Sequence, residues 1–206
     1  MNVEIVDFPQ TVRPAYLAGR KCHGKEEIIP KSEEEMIRWL ETYILPTGHW
    51  SIMEFLDFTF DIQGISRACS HQLVRHRLAS YAQISQRHVP CSEVVIPDSI
   101  RDNPRALRLF NEIQQAIHVA TDVMIDEGIP QEDARYLYTN ACVTSIFFKV
   151  NVRQLLEISQ RRLCSHAQSE IRELFRLIKV CVLEKLPFLA DYLVPNCKNC
   201  VEKCNE

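Results

Sequence analysis

The sequence predicts a single α/β domain of α+β-like form, a mixed sheet with flanking helices, on three observations. Residues 56–62 alternate apolar and polar with a period of two, and residues 143–150 are rich in β-branched and aromatic side chains. Two long stretches, one opening at Pro104 and one ending near Val182, repeat apolar residues at helical spacing. The 206 residues contain no repeat, low-complexity run or linker long enough to divide them. Periodicity by itself leaves the choice between α/β and α+β open.

Element by element, residues 1–7 alternate weakly and read as an edge strand. Ser32-Glu33-Glu34-Glu35 reads as a capping box, with acids in the first turn where the helix dipole favours them. Met36, Ile37, Leu40 and Tyr43 follow at helical spacing until Pro46. Leu56, Phe58, Phe60 and Ile62 alternate with Asp57, Thr59 and Asp61 in a half-buried strand that Gly64 is expected to end. Ser66 caps a helix through about Val74. Asn103-Pro104 is the favoured N-cap and first-turn pair for a long helix with the stripe Leu107, Phe110, Ile113, Ile117, Ala120 and Met124, ended by Gly128. Pro130 opens a shorter helix carrying Arg135. Val143 to Val150 forms a second buried strand, Asn151 caps the helix after it, and Ser165 to Gln168 resembles another capping box. The last helix is expected to bury Ala167, Ile171, Leu174, Phe175, Ile178 and Val182.

Composition excludes several functions. The formal net charge is −3 and the pI ≈ 6.2, so no basic field marks a nucleic-acid binder. Five glycines cannot spell the dinucleotide fingerprint or a P-loop. The first ten residues lack a leader pattern, and no apolar run approaches the ~18 residues of a membrane span. Nine cysteines are present, and those in periodic segments, Cys69, Cys142 and Cys181, are expected as reduced core thiols of a cytoplasmic protein. Cys197, Cys200 and Cys204 form a short tail motif, one ligand short of a structural zinc site unless another residue or chain contributes, and the expectation is a frayed, reduced tail without metal. Ser85 lacks the surroundings of a nucleophile elbow.

Polar chemistry concentrates in Arg75-His76-Arg77-Leu-Ala-Ser80-Tyr-Ala-Gln83-Ile-Ser85-Gln86-Arg87, with no acid between Gly64 and Cys91. Guanidinium forks suit phosphate. The segment is either a pocket for a phosphorylated ligand or a solvated stretch paired to acids elsewhere. In the helix after Asn151, Arg162 shares a face with Leu155 and Ile158. An inward arginine requires an anion or strong acceptors, unless it snorkels to the helix end or pairs with Glu157. His49 and His166 read first as loop and capping-region residues.

Arg75-His76-Arg77 followed after seven residues by Ser85 resembles the signature of the flavin-dependent thymidylate synthases. The similarity extends through His49-Trp50-Ser51, Glu132-Asp-Ala-Arg135, Asn151-Val-Arg153 and Arg162-Leu-Cys-Ser-His-Ala-Gln168, over about residues 15–190. The resemblance implies that family's single-domain fold over residues 1–194, with 195–206 as a cysteine-containing tail. It also implies a homotetramer whose subunits share sites, with FAD as cofactor, dUMP as substrate, and methylenetetrahydrofolate and NADPH as co-substrates. It further implies reductive methylation to dTMP without a cysteine nucleophile, and no nucleic-acid or membrane partner. The alternative is a relative that binds nucleotide and flavin without turnover.

Carried over position by position, the resemblance assigns dUMP binding to Gln72, Arg75, Gln83, Ser85, Gln86, Arg87, Arg135 and Arg162. Arg162 is then the catalytic group that stabilises ionisation at uracil N3. Flavin contacts fall to Ser51, Arg75, His76, Arg77, Gln83, Asn151, Arg153 and Glu157. His49 and His76 take the folate side. Glu157 stands where some relatives have asparagine, His88 where a tyrosine is expected, Ala82 where a polar residue is expected, and Ser169 where tryptophan is common.

Overall fold

The structure is a computed structural model that describes residues 1–24 and 32–197. In chain order its elements are β1 (Asn2–Asp7), α1 (Arg13–Cys22), α2 (Glu33–Tyr43), β2 (Asp57–Ser66), α3 (Arg67–Leu73), β3 (Ala79–Gln83), α4 (Asp98–Arg101), α5 (Pro104–Asp126), α6 (Gln131–Ala134), β4 (Val143–Asn151), α7 (Val152–Arg162) and α8 (Ser169–Lys185). The strands form one four-stranded sheet in the order β1-β2-β4-β3. The residue-level expectation of an α/β chain with a sheet and flanking helices is met, β1 taking an edge.

Side-chain caps set most helix starts. Ser32 Oγ accepts from Glu35 N at 3.2 Å, Ser66 Oγ from Cys69 N at 3.0 Å, and Asn151 Oδ1 from Gln154 N at 2.9 Å. Asn103 Oδ1 accepts from both Arg105 N and Ala106 N at 3.1 Å. The expected box at Ser165 is not the cap of α8. Gln168 caps it instead, its side chain accepting from Ile171 N at 3.3 Å, while the Ser165 carbonyl accepts from Arg172 Nη1 at 2.6 Å.

Two compact units arise, each from separate stretches of chain: Met1 with residues 62–75 and 82–146, and residues 2–61 with 76–81 and 147–206. The second unit holds the aromatic core. Phe58 and Phe60 are fully buried and stack with ring centroids 5.6 Å apart, Phe60 stacks on Phe148 at 6.0 Å, and Phe148 on Tyr81 at 5.4 Å. Helix α8 packs on β1 and α7 through Ile171, Leu174, Phe175, Ile178 and Val182, all fully buried. Each such side chain contributes about 1.5–3 kcal/mol of burial. Ala167 lies outside the helix and only half-buried.

In the first unit α5 packs against α4 and α6, and its orientation departs from expectation. Gln114 and Thr121 are its buried positions, with Leu107, Phe110, Ile117 and Met124 half-buried beside them. Ile113 and Ala120, expected inside, face outward. Together with Leu109, Ala116 and Val123 they make a second apolar stripe spaced by four and three residues, the repeat of a helix-pairing seam. Leu109 is 54%, Ile113 58%, Val119 53% and Val123 54% exposed.

Three further expectations are corrected. Gly64 does not end β2. At φ 71° it takes the left-handed conformation, and a Cβ there would sit 3.3 Å from the Met1 nitrogen, so the strand passes through to Ser66. The cationic segment is not all loop, since Ala79–Gln83 is β3, an edge strand whose Ala79, Tyr81 and Gln83 face inward. Cys142 is not a reduced core thiol but is joined to Cys91. Pairing of Val143 N with the Glu93 carbonyl (2.9 Å) and Val95 N with the Ala141 carbonyl (2.8 Å) brings the two Cα atoms to 5.8 Å. Cys69 is buried and Cys181 half-buried, as expected. Cys197 is exposed, whereas Cys200 and Cys204 lie outside the described residues.

Candidate functional site

In the first unit the start of α3, the turn after β3 and the start of β4 meet at one cleft. Backbone amides of Arg67 and Ala68 donate to the carbonyls of Cys142 (3.0 Å) and Asn140 (2.9 Å), which pins the helix start to the strand entry. Arg67 is half-buried, and its Nη2 donates to the Ile84 carbonyl at 2.5 Å. Its Nε is sealed from solvent and without a hydrogen-bond partner among the described residues. Burial, and then the guanidinium of Arg135, push the Arg67 pKa down from its ordinary value. A half-buried guanidinium with an unanswered donor, in the field of a second one, favours an anion.

The cleft has a volume of about 240 Å³ and is lined by Arg67, Gln86, Ser92, Glu93, Thr144 and Ser145, among others. Thr144 in its lining belongs to a polar chain. Gln83 Nε2 donates to Ser70 Oγ (2.8 Å) and Thr144 Oγ1 (3.2 Å), and Ser70 Oγ donates to the Arg67 carbonyl (3.1 Å). Ser70 and Thr144 are buried, so each hydroxyl needs these bonds. The turn carrying Ser85 and Gln86 is closed by His88 N and Val89 N donating to the Ser85 carbonyl, at 3.1 and 3.0 Å. It is tied to α6 twice. Gln131 Nε2 donates to the Gln86 carbonyl (3.4 Å), and Arg87 forks onto Glu132 through Nε (2.8 Å) and Nη2 (2.7 Å). The Glu132 carbonyl in turn accepts from Arg135 Nε at 3.0 Å. Of the expected dUMP residues, this unit brings together Gln83, Ser85, Gln86, Arg87 and Arg135. Arg67, Ser70 and Thr144 were not singled out in the sequence. The one available signal was Arg67 directly after a capping serine, in a stretch without acids.

In the second unit Arg162 ends α7 and is half-buried. Its Nε donates to His76 Nε2 at 3.0 Å. Glu157, one of its possible partners by sequence, is engaged elsewhere, by Arg153 Nε (2.9 Å) and Gln154 Nε2 (2.6 Å), and Arg153 Nη1 also reaches Glu54 at 2.6 Å. Those two carboxylates raise the Arg153 pKa above its ordinary value. Burial, then the guanidiniums of Arg162 and Arg161, push the His76 imidazole down to about 4, so it is neutral near pH 7. Tyr81 Oη donates to the His76 carbonyl at 2.8 Å, and burial pushes that phenol up to about 12.

Asn151 is spent as the α7 cap and borders a shallow depression of about 220 Å³ with Asp57, Ser80 and Lys149. His49 and Ser51 are exposed around the 3-10 turn Trp50–Phe55, which Trp50 anchors by donating to the Leu45 carbonyl at 3.1 Å. Gln72 is half-buried near the end of α3. Arg75 and Arg77 follow it, exposed and without an ion pair among the described residues. Among the described residues no group of three His, Cys, Asp or Glu side chains could hold a metal ion, and no helix is long and apolar enough to cross a membrane.

The family profile described as thymidylate synthase complementing protein matches residues 4–188. The chain is 40% identical over 174 residues to a flavin-dependent thymidylate synthase of Geobacter sulfurreducens, covering 79% of this chain and 75% of that one. A protein of the same description from Clostridium tetani is 33% identical over 221 aligned positions, covering 97% of this chain and 89% of its own. In fold it is similar to the crystal structure of thymidylate synthase X from Helicobacter pylori with FAD and dUMP, with a TM-score of 0.78 and 20% identity, covering 94% of this chain and 99% of that one.

Proposed function

The chain belongs to the flavin-dependent thymidylate synthases, and from that membership we propose how its own residues divide the reaction. The reaction is the FAD-dependent reductive methylation of dUMP to dTMP, with methylenetetrahydrofolate as carbon donor and NADPH as reductant. The observation that carries the residue assignment is Arg67 in the cleft lining, half-buried with its Nε unanswered and in the field of the Arg135 guanidinium. A nucleotide phosphate supplies the charge and the acceptors this arrangement lacks. Arg67, Arg135, Ser85 and Gln86 then grip the phosphate and sugar, and Gln83 is held in place by Ser70 and Thr144. Arg87 joins by exchanging part of its Glu132 contact for phosphate oxygen. Gln72 and Arg75 approach the nucleotide or the flavin.

The donor set fits a flavin dinucleotide. Arg75 and Arg77 are exposed cations without carboxylate partners among the described residues, matched to a pyrophosphate, while Arg153 is already neutralised by Glu54 and Glu157. Ser51, His76, Gln83 and the Asn151–Arg153 turn complete that set. Glu157 contributes through Arg153, because both its oxygens are taken. Bound FAD supplies the hydride and the carrier chemistry by which the one-carbon unit reaches the pyrimidine. Arg162 faces the uracil and stabilises negative charge at N3, which enriches C5. His49 and His76 stand on the folate side. Cys142 lines the cleft, but its sulfur is bonded to Cys91 and is not available as a nucleophile.

The assembly is a homotetramer whose subunits share sites. The exposed α5 stripe supports it, being the kind of surface a second copy of the same helix covers. The enzyme works in the cytoplasm, where its nucleotide and NADPH pools are, which makes Cys91–Cys142 an uncommon bond for its compartment. Residues 1–194 form the catalytic domain and 195–206 an appendage to it.

Purified protein is expected to bind FAD with flavin absorbance, to oxidise NADPH faster with dUMP present, and to form dTMP from the full substrate set. Colourless protein that takes up no FAD counts against the reading, and binding of both ligands without dTMP assigns the chain to a non-catalytic branch. Arg67→Ala should raise the dUMP dissociation constant about 10- to 100-fold, the loss of a charged hydrogen-bonding partner. Deoxyuridine, lacking the phosphate, should bind unchanged, and an equal loss for it would place Arg67 elsewhere. Arg87→Ala should weaken dUMP less, by several-fold, since its fork already has a carboxylate in a half-exposed setting.

A further inference from the structure

The geometry points to His76 as a positioning residue for Arg162: its Nε2 accepts the Arg162 Nε–H and fixes the guanidinium plane, which leaves Nδ1–H as a donor for a bound heterocycle. The inference rests on the assignment of Arg162 to the uracil. It begins from a bond of 3.0 Å between residues 86 apart in sequence. A guanidinium has five N–H donors and no acceptor, so the nitrogen it meets must carry the lone pair. A neutral imidazole has one such nitrogen, hence the proton sits on Nδ1.

Three features hold the ring in that state. Burial and the paired charges of Arg162 and Arg161 oppose a second proton. The Tyr81 hydroxyl clamps the His76 carbonyl at 2.8 Å, with its own ring stacked on Phe148, so the backbone carrying the imidazole is anchored. Arg162 itself closes α7, where the negative end of the helix dipole favours a cation. Nδ1 has no partner among the described residues and is not one of the sealed polar atoms, so it remains open to a ligand.

The consequences are specific. His76 is not a general acid near pH 7, because it carries one proton and no charge. It is an orienting acceptor on one side and a fixed donor on the other, matched to a carbonyl oxygen or pyridine-type nitrogen. The Arg162 Nε is thereby spent on the ring, which sets the plane of the whole guanidinium.

The test uses FAD-loaded enzyme labelled with ¹⁵N-imidazole histidine. For His76 we expect Nε2 to resonate as a lone-pair nitrogen and Nδ1 as a protonated one, without titration between pH 5 and 8. In Arg162→Ala the ring should shift towards the Nε2–H form that free imidazole side chains prefer, and titrate closer to 6.5. An Nε2–H ring in the wild type, or a tautomer unmoved by Arg162→Ala, overturns the inference.

The second arm compares kcat per bound flavin in His76→Gln, whose amide oxygen can accept at similar reach, and His76→Phe, which has no acceptor. Both should lose kcat, but Gln should retain at least about tenfold more than Phe, with the dUMP KM changed less than kcat in both. Equal kcat values in the two variants overturn it. Wild-type protein that forms no dTMP would instead sink the functional assignment, and leaves the nitrogen spectrum to decide the His76–Arg162 bond.

Discussion

Arg162→Ala should lower kcat for dTMP formation by about 10²- to 10³-fold, the usual cost of removing a preorganised donor aimed at developing charge. The side chain is half-buried at the end of α7 and held through Nε by neutral His76, so its remaining donors are oriented before substrate arrives. Water near an exposed arginine would answer part of the same charge, whereas a partly buried, oriented guanidinium meets little competition. Arg162→Lys keeps the charge but has no nitrogen in the Nε position and no planar fork, so it should recover only part of the loss. Flavin content and helical circular dichroism should match the wild type in both variants, because Arg162 is the last residue of its helix. Quantified dTMP under saturating substrates checks the prediction, and wild-type turnover in Arg162→Ala would remove this residue from its role.

The double variant Ile113→Asp, Val123→Asp should separate the assembly and strip its FAD. Both side chains are more than half exposed on the outward stripe of α5, so an isolated chain tolerates the change with little loss of fold. Covered by a second copy, each apolar side chain contributes about 1.5–3 kcal/mol, and an uncompensated carboxylate in its place costs several more. The association constant should therefore fall by more than about 10³-fold. Light scattering coupled to size exclusion reads the mass, and absorbance of the same peak reads the flavin. A tetramer retaining its flavin would show that this stripe is not where copies meet, and a stable monomer retaining flavin would show that the sites are not shared.

Much of the local architecture was legible because its causes are local. Ser66, Asn103 and Asn151 each accept from an amide two or three residues ahead, a bond that spacing guarantees once the helix forms. The Asp57–Ile62 alternation likewise placed Phe58, Phe60 and Ile62 inside. Errors came where a neighbour decides the outcome. Gly64 read as a terminator, but the Met1 backbone beside it makes it a point the strand passes through. The α5 helix was recognised and its buried face was not, since two apolar stripes flank Gln114 and Thr121 and periodicity does not say which stripe meets the unit. Polar spacing in 75–87 hid β3, whose inward residues are Ala79, Tyr81 and Gln83 rather than an aliphatic set.

The resemblance marked Gln83, Ser85, Gln86, Arg87 and Arg135 in one unit and Arg162 in the other, yet not what each one touches. Gln83 is bracketed by Ser70 and Thr144, 13 and 61 residues away, and Arg87 is forked onto Glu132 at a separation of 45. No spacing rule predicts such partners.

By itself the sequence determined the helix starts, the period of β2 and β4, the absence of glycine-rich nucleotide cradles and the family signature. These follow from bonds between near neighbours and from residue types whose geometry is intrinsic. Only the tertiary structure decided that Arg67 is half-buried with an unanswered Nε, that His76 receives Arg162, that Cys91 meets Cys142, and that one stripe of α5 is left outward. Those depend on which distant surfaces exclude water together, and burial is a property of the packed chain that no single stretch of it carries.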